Sequence, residues 1–220
     1  FFNFAKSKTI SVLINFWNVL KENGEELVSN LISIRRKYSP DNLIEGRKLF
    51  EKMKSVLYDE KETELSRAIS YFILNKLCFS GMTESNSFSK SNYAELFNET
   101  NINKLPFFTN LMKNWTIYNE SYEDFLLRST TNDFVYLDPP YDIEGNQLYG
   151  KSGSLHKSFN HEEYKKYVNN LSSYFMMSYN DTPLNRQRYK KYNIDNLAFS
   201  YCMQSGSGKR EMNELVIKNF

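Results

Sequence analysis

Apolar residues recur every three or four positions through the first third of the chain. Leu13, Phe16, Trp17 and Leu20 share one helical face, and Leu27, Leu31 and Ile34 repeat the spacing. Asn23-Gly24 interrupts the run and splits it into two helices, with Glu25 and Glu26 suited to the positive start of the second. Pro40, after the basic run Arg35-Arg36-Lys37, ends it. The same spacing predicts a helix over 42–58, with Leu43, Ile44, Leu49, Phe50, Met53 and Leu57 on one side. Another is predicted over 61–78, carrying Leu65, Ile69, Phe72, Ile73 and Leu77 as a core stripe. From 79 to 104 the pattern dissolves into Ser, Asn, Thr and Gly, the composition of a loop.

The second half reads differently. Trp115 to Tyr118 is predicted as a strand, and Asp133 to Leu137 as another, stopped by two prolines. Asn160 with Glu163 three residues on resembles a capping box and starts a helix over 161–171. Ser173 to Tyr179 is a strand, and Thr182-Pro183 caps and opens a helix over 183–191. Two last strands, 194–203 and 213–219, flank the turn Ser205-Gly206-Ser207-Gly208. Alternating strands and helices that finish in a hairpin predict an α/β fold, behind a helix-rich first half.

Composition narrows the function. The chain has 220 residues, 40% of them hydrophobic and 16% aromatic, enough for a real core and against disorder. No apolar run approaches the ~20 residues of a membrane span, and no signal peptide opens the chain, so a cytoplasmic protein is expected. Two cysteines, Cys78 and Cys202, exclude a disulfide framework, and with only His156 and His161 besides, no metal centre is expected. The net charge of +2 means that any nucleic-acid signal is local. Eight glycines are few for an α/β enzyme that cradles a cofactor on a glycine turn.

The stretch that carries chemistry is Asp138-Pro139-Pro140-Tyr141, directly after the strand ending at Leu137. Open α/β sheets bind ligands beyond the carboxyl ends of their strands. Proline fixes φ and has no N–H, so the carbonyls here are held in one direction. The Asp138 carboxylate and the Pro139 carbonyl make two neighbouring acceptors, which suit an amino group with two hydrogens. Tyr141 adds a flat face for a base. The plainer reading is a proline-stiffened loop with Asp138 as a turn former.

These residues resemble the catalytic motif of amino-group methyltransferases, in the Asp form of the adenine-N6 enzymes. Phe134 to Tyr141 is similar to the strand and motif of the Dam-like, alpha-group DNA adenine methyltransferases. Leu148 to Lys151, Leu155 to Lys157 and Phe159 to Glu162 resemble the region after their motif. Ser178 to Thr182 with Arg186 and Tyr189 resembles their next strand and helix, and Asn213 to Ile217 with Asn219 their last strand. Upstream, Asn75 and Phe79 to Met82 resemble the start of their target-recognition region.

The resemblance implies a Rossmann-like methyltransferase sheet ending in a β-hairpin, with an inserted, mainly helical target-recognition region. Residues 1–35 and 105–220 would form the catalytic domain and 36–104 the DNA-binding region. It implies S-adenosylmethionine as cofactor, double-stranded DNA as substrate, and a cognate restriction endonuclease as a partner. Asp138, Pro139, Pro140 and Tyr141 would be catalytic, acting on an adenine flipped out of the duplex. Phe1, Phe2, Ser121, Tyr122 and Asp138 would border the cofactor. Ser80, Met82, Thr83, Ser85 and Lys90 would read DNA, and Tyr149, Lys151, His156 and Lys157 would cover the flipped base and touch phosphates. Each of these polar segments also reads as a solvated loop.

Three departures stand against the pattern. The family's Phe-x-Gly-x-Gly element, which should precede a Phe-Phe like Phe1-Phe2, is missing. The strand expected at Lys8 to Ser11 runs at once into helical Val12-Leu13-Ile14, with no acid for the cofactor ribose. Ser121-Tyr122 stands where the family often has an Asp. The first two departures concern one binding site, which points to cofactor loops outside the residues in hand and a chain break at Ser11-Val12. An intact mass of 26.1 kDa for the purified protein would exclude that explanation. Two alternatives to DNA adenine methylation stay open: amino methylation of RNA or cytosine, and an inactive nucleic-acid-binding or structural relative.

Overall fold

A computed structural model describes residues 8–78, 87–142, 159–201 and 210–220. The described residues form two compact units, one within 6–119 and one within 120–220.

The first unit is helical: α1 Lys8–Glu22, α2 Gly24–Lys37, α3 Leu43–Leu57, α4 Glu64–Leu77, α5 Lys90–Glu95, α6 Glu99–Ile102 and α7 Leu105–Leu111. The predicted stripes are the buried faces. Phe16 and Leu20 of α1, Leu27 and Leu31 of α2, Leu49 and Phe50 of α3, and Phe72 and Ile73 of α4 form one core. Each such side chain contributes about 1.5–3 kcal/mol when buried. The helix starts are fixed by side chains: Asn42 accepts from the Glu45 N–H, Thr63 from Ser66, Ser89 from Asn92 and Asn98 from Asn101. Each cap contributes about 1 kcal/mol.

Gly46 lets α3 close on α5. A Cβ there would lie 2.6 Å from the Tyr93 ring. That ring is fully buried and its hydroxyl donates to the Ser39 carbonyl at 2.8 Å, so it has nowhere to go. Gly46→Ala is therefore expected to lower stability by about 1 kcal/mol net. An overpacking loss of about 1–3 kcal/mol outweighs the helix-propensity gain of ~1 kcal/mol. Urea denaturation checks this: an unchanged or raised midpoint contradicts the packing.

The second unit holds α8 Tyr122–Arg128, β1 Phe134–Leu137, α9 His161–Asn169, β2 Tyr174–Asn180, α10 Pro183–Arg188, β3 Asn193–Tyr201 and β4 Arg210–Lys218. The sheet order is β1-β2-β4-β3. β1 and β2 are parallel, with Phe134 opposite Tyr174 and Leu137 opposite Met177. β4 runs antiparallel to both β2 and β3. Val135, Leu137, Phe175, Met177, Tyr179, Leu215 and Ile217 fill a second core with Tyr164 and Val168 of α9. The parallel pair needs a crossover, and α9 lies on it. Asn160 caps α9 through the Glu163 N–H, and Thr182 caps α10 through Asn185, as predicted.

Several expectations are corrected. Lys8 to Ser11 is the first turn of α1, which runs through Ser11 and Val12, and not a strand. Trp115 to Tyr118 is not a strand either. The Trp115 N–H donates to Met112, its carbonyl accepts from Lys21 at 2.6 Å, and Ile117 packs on the helical core. A β-favouring run with no neighbouring strand has no ladder to join. The loop expected over 79–104 contains α5 and α6, held by Tyr93, Phe97 and Ile102 in the core. By packing, the units divide between 119 and 120. α1 lies against α4 and α7, and α2 against α4, α6 and α7. The turn 205–208 lies outside the described residues. Among the described residues, no helix is long and apolar enough to cross a membrane.

Candidate active site

β1 delivers Asp138 to the carboxyl end of the parallel pair. One step past the Leu137–Met177 pairing, it comes level with Ser178 of β2. The Ser178 hydroxyl donates to Asp138 Oδ1 at 3.2 Å, and Tyr136 OH lies 3.0 Å from the same Ser178 oxygen. With the serine proton committed to Asp138, the tyrosine donates to the serine. Among the described residues, Asp138 Oδ2 has no hydrogen-bond partner, so the carboxylate is held at one oxygen and keeps the other as an acceptor. Pro139 and Pro140 are buried, while Asp138 and Tyr141 are half-buried at the surface of the site.

The segment is clamped from below. Asn180 Oδ1 accepts from the Asp142 N–H at 3.1 Å, and Asn180 Nδ2 donates to the Asp142 carbonyl at 2.9 Å. Asn185 of α10 in turn donates to the Asn180 carbonyl and to its Oδ1, at 3.1 and 3.0 Å. Arg188, also from α10, donates to Asp142 Oδ2 at 3.1 Å, to Glu162 at 2.8 Å, and to Asn185 Oδ1. His161 Nδ1 bonds the hydroxyl of buried Tyr179, and its Nε2 lies 3.8 Å from Asp142 Oδ1. The residues around 138–142 thus come from β1, β2, α9 and α10.

Tyr141 stacks on Tyr179, with ring centroids 6.2 Å apart and planes 16° from parallel. Burial, then hydrogen bonding to Glu214 and its charge, then the charge of Asp138, push the Tyr141 phenol well above its ordinary range. The phenol is therefore held in its neutral form. Glu214 sits on β4 opposite Asn180.

The other expected residues are placed as follows. Ser121 caps α8, accepting from the Asp124 N–H and donating to its carboxylate at 2.9 Å. Tyr122 lies in a ring cluster with Phe159, Tyr164 and Tyr167. Both side chains have structural partners. Lys90 opens α5 and borders an open cleft with Arg47 and Lys48. Phe1, Phe2, Ser80, Met82, Thr83, Ser85, Tyr149, Lys151, His156 and Lys157 lie outside the described residues.

Residues 9–201 match the family model of the D12 class N6 adenine-specific DNA methyltransferases. The chain belongs to this family. It is also similar to the type II methyltransferase M1.LlaDCHI of Lactococcus lactis subsp. cremoris, at 24% identity over 238 residues, covering all of this chain and 82% of that one. The protein is an adenine-specific DNA methyltransferase, and the four-stranded mixed sheet with its terminal hairpin is consistent with the fold of that class.

In this methyltransferase the motif is legible from sequence, but its supports are not. Ser178 and Asn180 alternate along β2 and so face one side of the sheet. Two polar residues at that spacing, at the carboxyl end of a strand that follows a βα crossover, were the available signal. Asp142, His161, Arg188 and Glu214 come from separate segments, and only the fold brings them together.

Proposed function

We propose that the methyltransferase acts on an adenine extruded from duplex DNA, which it holds at the carboxyl end of β1. The observation that carries this reading is the half-fixed carboxylate of Asp138: Oδ1 is bonded by Ser178, and Oδ2 has no hydrogen-bond partner among the described residues. Asp138 Oδ2 and the Pro139 carbonyl accept the two N–H groups of the adenine amino nitrogen. This draws its lone pair out of conjugation and leaves it as the nucleophile. As nitrogen becomes cationic in the transition state, the carboxylate stabilises it more than it stabilised the neutral base, and only that difference accelerates the step. Tyr141, backed by Tyr179, gives the base a stacking face.

S-adenosylmethionine, when bound, would supply the electrophilic methyl group and leave as the neutral thioether, the methylated nitrogen then losing one proton to solvent. Of the residues expected to border it, Asp138 stands at the strand ends, while Ser121 and Tyr122 serve a cap and a ring cluster. The described residues therefore fit the substrate side of the reaction, and every step above belongs to them. Residues 36–104 are proposed to read the DNA sequence, a reading supported by Arg47, Lys48 and Lys90 around one cleft. The type II designation of the lactococcal relative supports a cognate restriction endonuclease as partner.

Incubation with labelled S-adenosylmethionine and duplex DNA, followed by nucleoside analysis, tests the reading. Label in N6-methyladenine is expected. Label only in RNA or in cytosine, or none at all, rejects it. Tyr141→Ala is expected to lower turnover by about 10–100-fold, in line with a stacking contribution of about 1–3 kcal/mol, with a smaller change in DNA affinity. A filter-binding titration that finds only lost affinity contradicts the stacking role.

A further inference from the structure

A second cleft lies in the helical unit, away from the motif in sequence. Trp17 of α1, Tyr71 and Lys76 of α4, Lys104, and Phe108 of α7 line a cleft of about 340 Å³. No acidic residue is among its lining residues. That separates it from the cleft beside Lys90, which Glu51 lines and where Lys48 is already paired with Glu45 at 2.7 Å. Lys76 is half-buried, with its ammonium 5.5 Å above the Phe72 ring, and Lys104 Nζ donates to Asn101 Oδ1 at 2.9 Å. Partners of this kind orient an ammonium without neutralising it. Burial, and then the positive charge of Lys104, hold the Lys76 ammonium below the ordinary lysine range. Two like charges kept together at a ring-lined cleft repel each other, and an anion between them relieves that repulsion.

We infer that this cleft binds a phosphodiester of the DNA substrate, with Lys76 and Lys104 as its counter-charges and the Trp17 and Phe108 rings against the adjoining sugar or base. The choice of DNA rests on the adenine methyltransferase reading. Rings interleaved with lysines suit a nucleic-acid strand, which offers flat apolar faces between phosphates.

The test uses the full chain and measures duplex affinity over a range of salt. Each phosphate neutralised contributes about 0.9 to the slope of log K against log salt. Lys76→Gln with Lys104→Gln is expected to make the slope shallower by about one, and arginine at both positions is expected to restore it. Lys21→Gln with Lys113→Gln, which removes the same charge elsewhere on the helical unit, is expected to leave the slope in place. An unchanged slope in the first pair overturns the inference, as does an equal change in the second. If circular dichroism finds the double variant unfolded, Lys104→Gln alone, at an exposed position, is expected to make the slope shallower by about half as much. Adenosine monophosphate and inorganic phosphate form a separate arm. Saturable binding of either, lost in the double variant while the duplex slope stays at the parent value, assigns the cleft to a free nucleotide and overturns the DNA assignment. A parent that methylates DNA but shows no slope change on substitution fails this inference alone, whereas a parent that methylates no DNA fails the reading on which it rests.

Discussion

Asp138→Ala is expected to lower the turnover of DNA methylation by roughly 10²–10³-fold, the effect of removing one preorganised electrostatic partner from a transition state. The reasoning is differential. Before reaction the carboxylate accepts an ordinary hydrogen bond from a neutral amine; at the transition state the same contact opposes a positive charge. Asp138→Asn loses the charge and, with its oxygen held by Ser178, sets an N–H donor where Oδ2 accepted, so its turnover is expected to fall about as far as that of the alanine variant. Ser178 remains able to donate to the asparagine oxygen, which keeps the side chain oriented. Single-turnover labelling at saturating DNA separates this from weaker binding. Equal labelling by parent and Asp138→Ala would remove Asp138 from the reaction.

The largest effect on stability is expected at Arg188. Its side chain is 5% exposed and bonds Asp142, Glu162 and Asn185 together. Arg188→Leu leaves Asp142 and Asn185 without that partner. Removing one member of a buried pair costs about 3–5 kcal/mol. Glu162 is well exposed and Asp142 partly so, so solvent recovers some of this and about 2–3 kcal/mol is expected. The loss has a pH signature. The hydrogen bond from Arg188 holds the Glu162 carboxyl below its ordinary value, against an opposing burial effect. A carboxyl depressed in the folded state contributes stability that is fully present above its unfolded pKa and is lost as pH falls through the folded one. The variant should therefore be less stable at neutral pH and lose less on acidification than the parent. Denaturation midpoints from neutral pH down through the carboxylate range check both points. A constant gap between parent and variant would detach Glu162 from the effect.

Long periodic segments were legible in the sequence because one stripe of side chains decides them. The stripes through Phe16 and Leu20, Leu49 and Phe50, and Phe72 and Ile73 emerge as the buried faces of α1, α3 and α4. Side-chain caps at Asn160 and Thr182 were legible for the same local reason. Short runs were not. Lys8 to Ser11 and Trp115 to Tyr118 carry β-favouring residues, but a strand exists only where another strand meets it. α5 and α6 were hidden in a polar tract because each needs few apolar anchors once Ser89 and Asn98 start it. The packing of α1 and α2 onto α4 and α7 was illegible because an apolar stripe states that a helix packs, and not which partner it chooses. At the candidate site, Asp138 to Tyr141 stood out through residue types in a row. Ser178, Asn180 and Arg188 support it from 38 or more positions away, a separation that the parallel register and α10 close.

The reciprocal amide contact between Asn180 and Asp142 has a meaning for protein engineering. Two consecutive prolines cannot donate to a ladder, so β-pairing ends where the motif begins. Beyond them, the carboxamide of Asn180 presents a C=O and an N–H to the backbone of Asp142, as a peptide group on a neighbouring strand would. It is a side-chain surrogate for one rung. Aspartate at this position keeps the acceptor and loses the donor, and leucine keeps neither, so almost no isostere can take its place. Anyone transplanting the motif onto another parallel strand pair should move the asparagine with it.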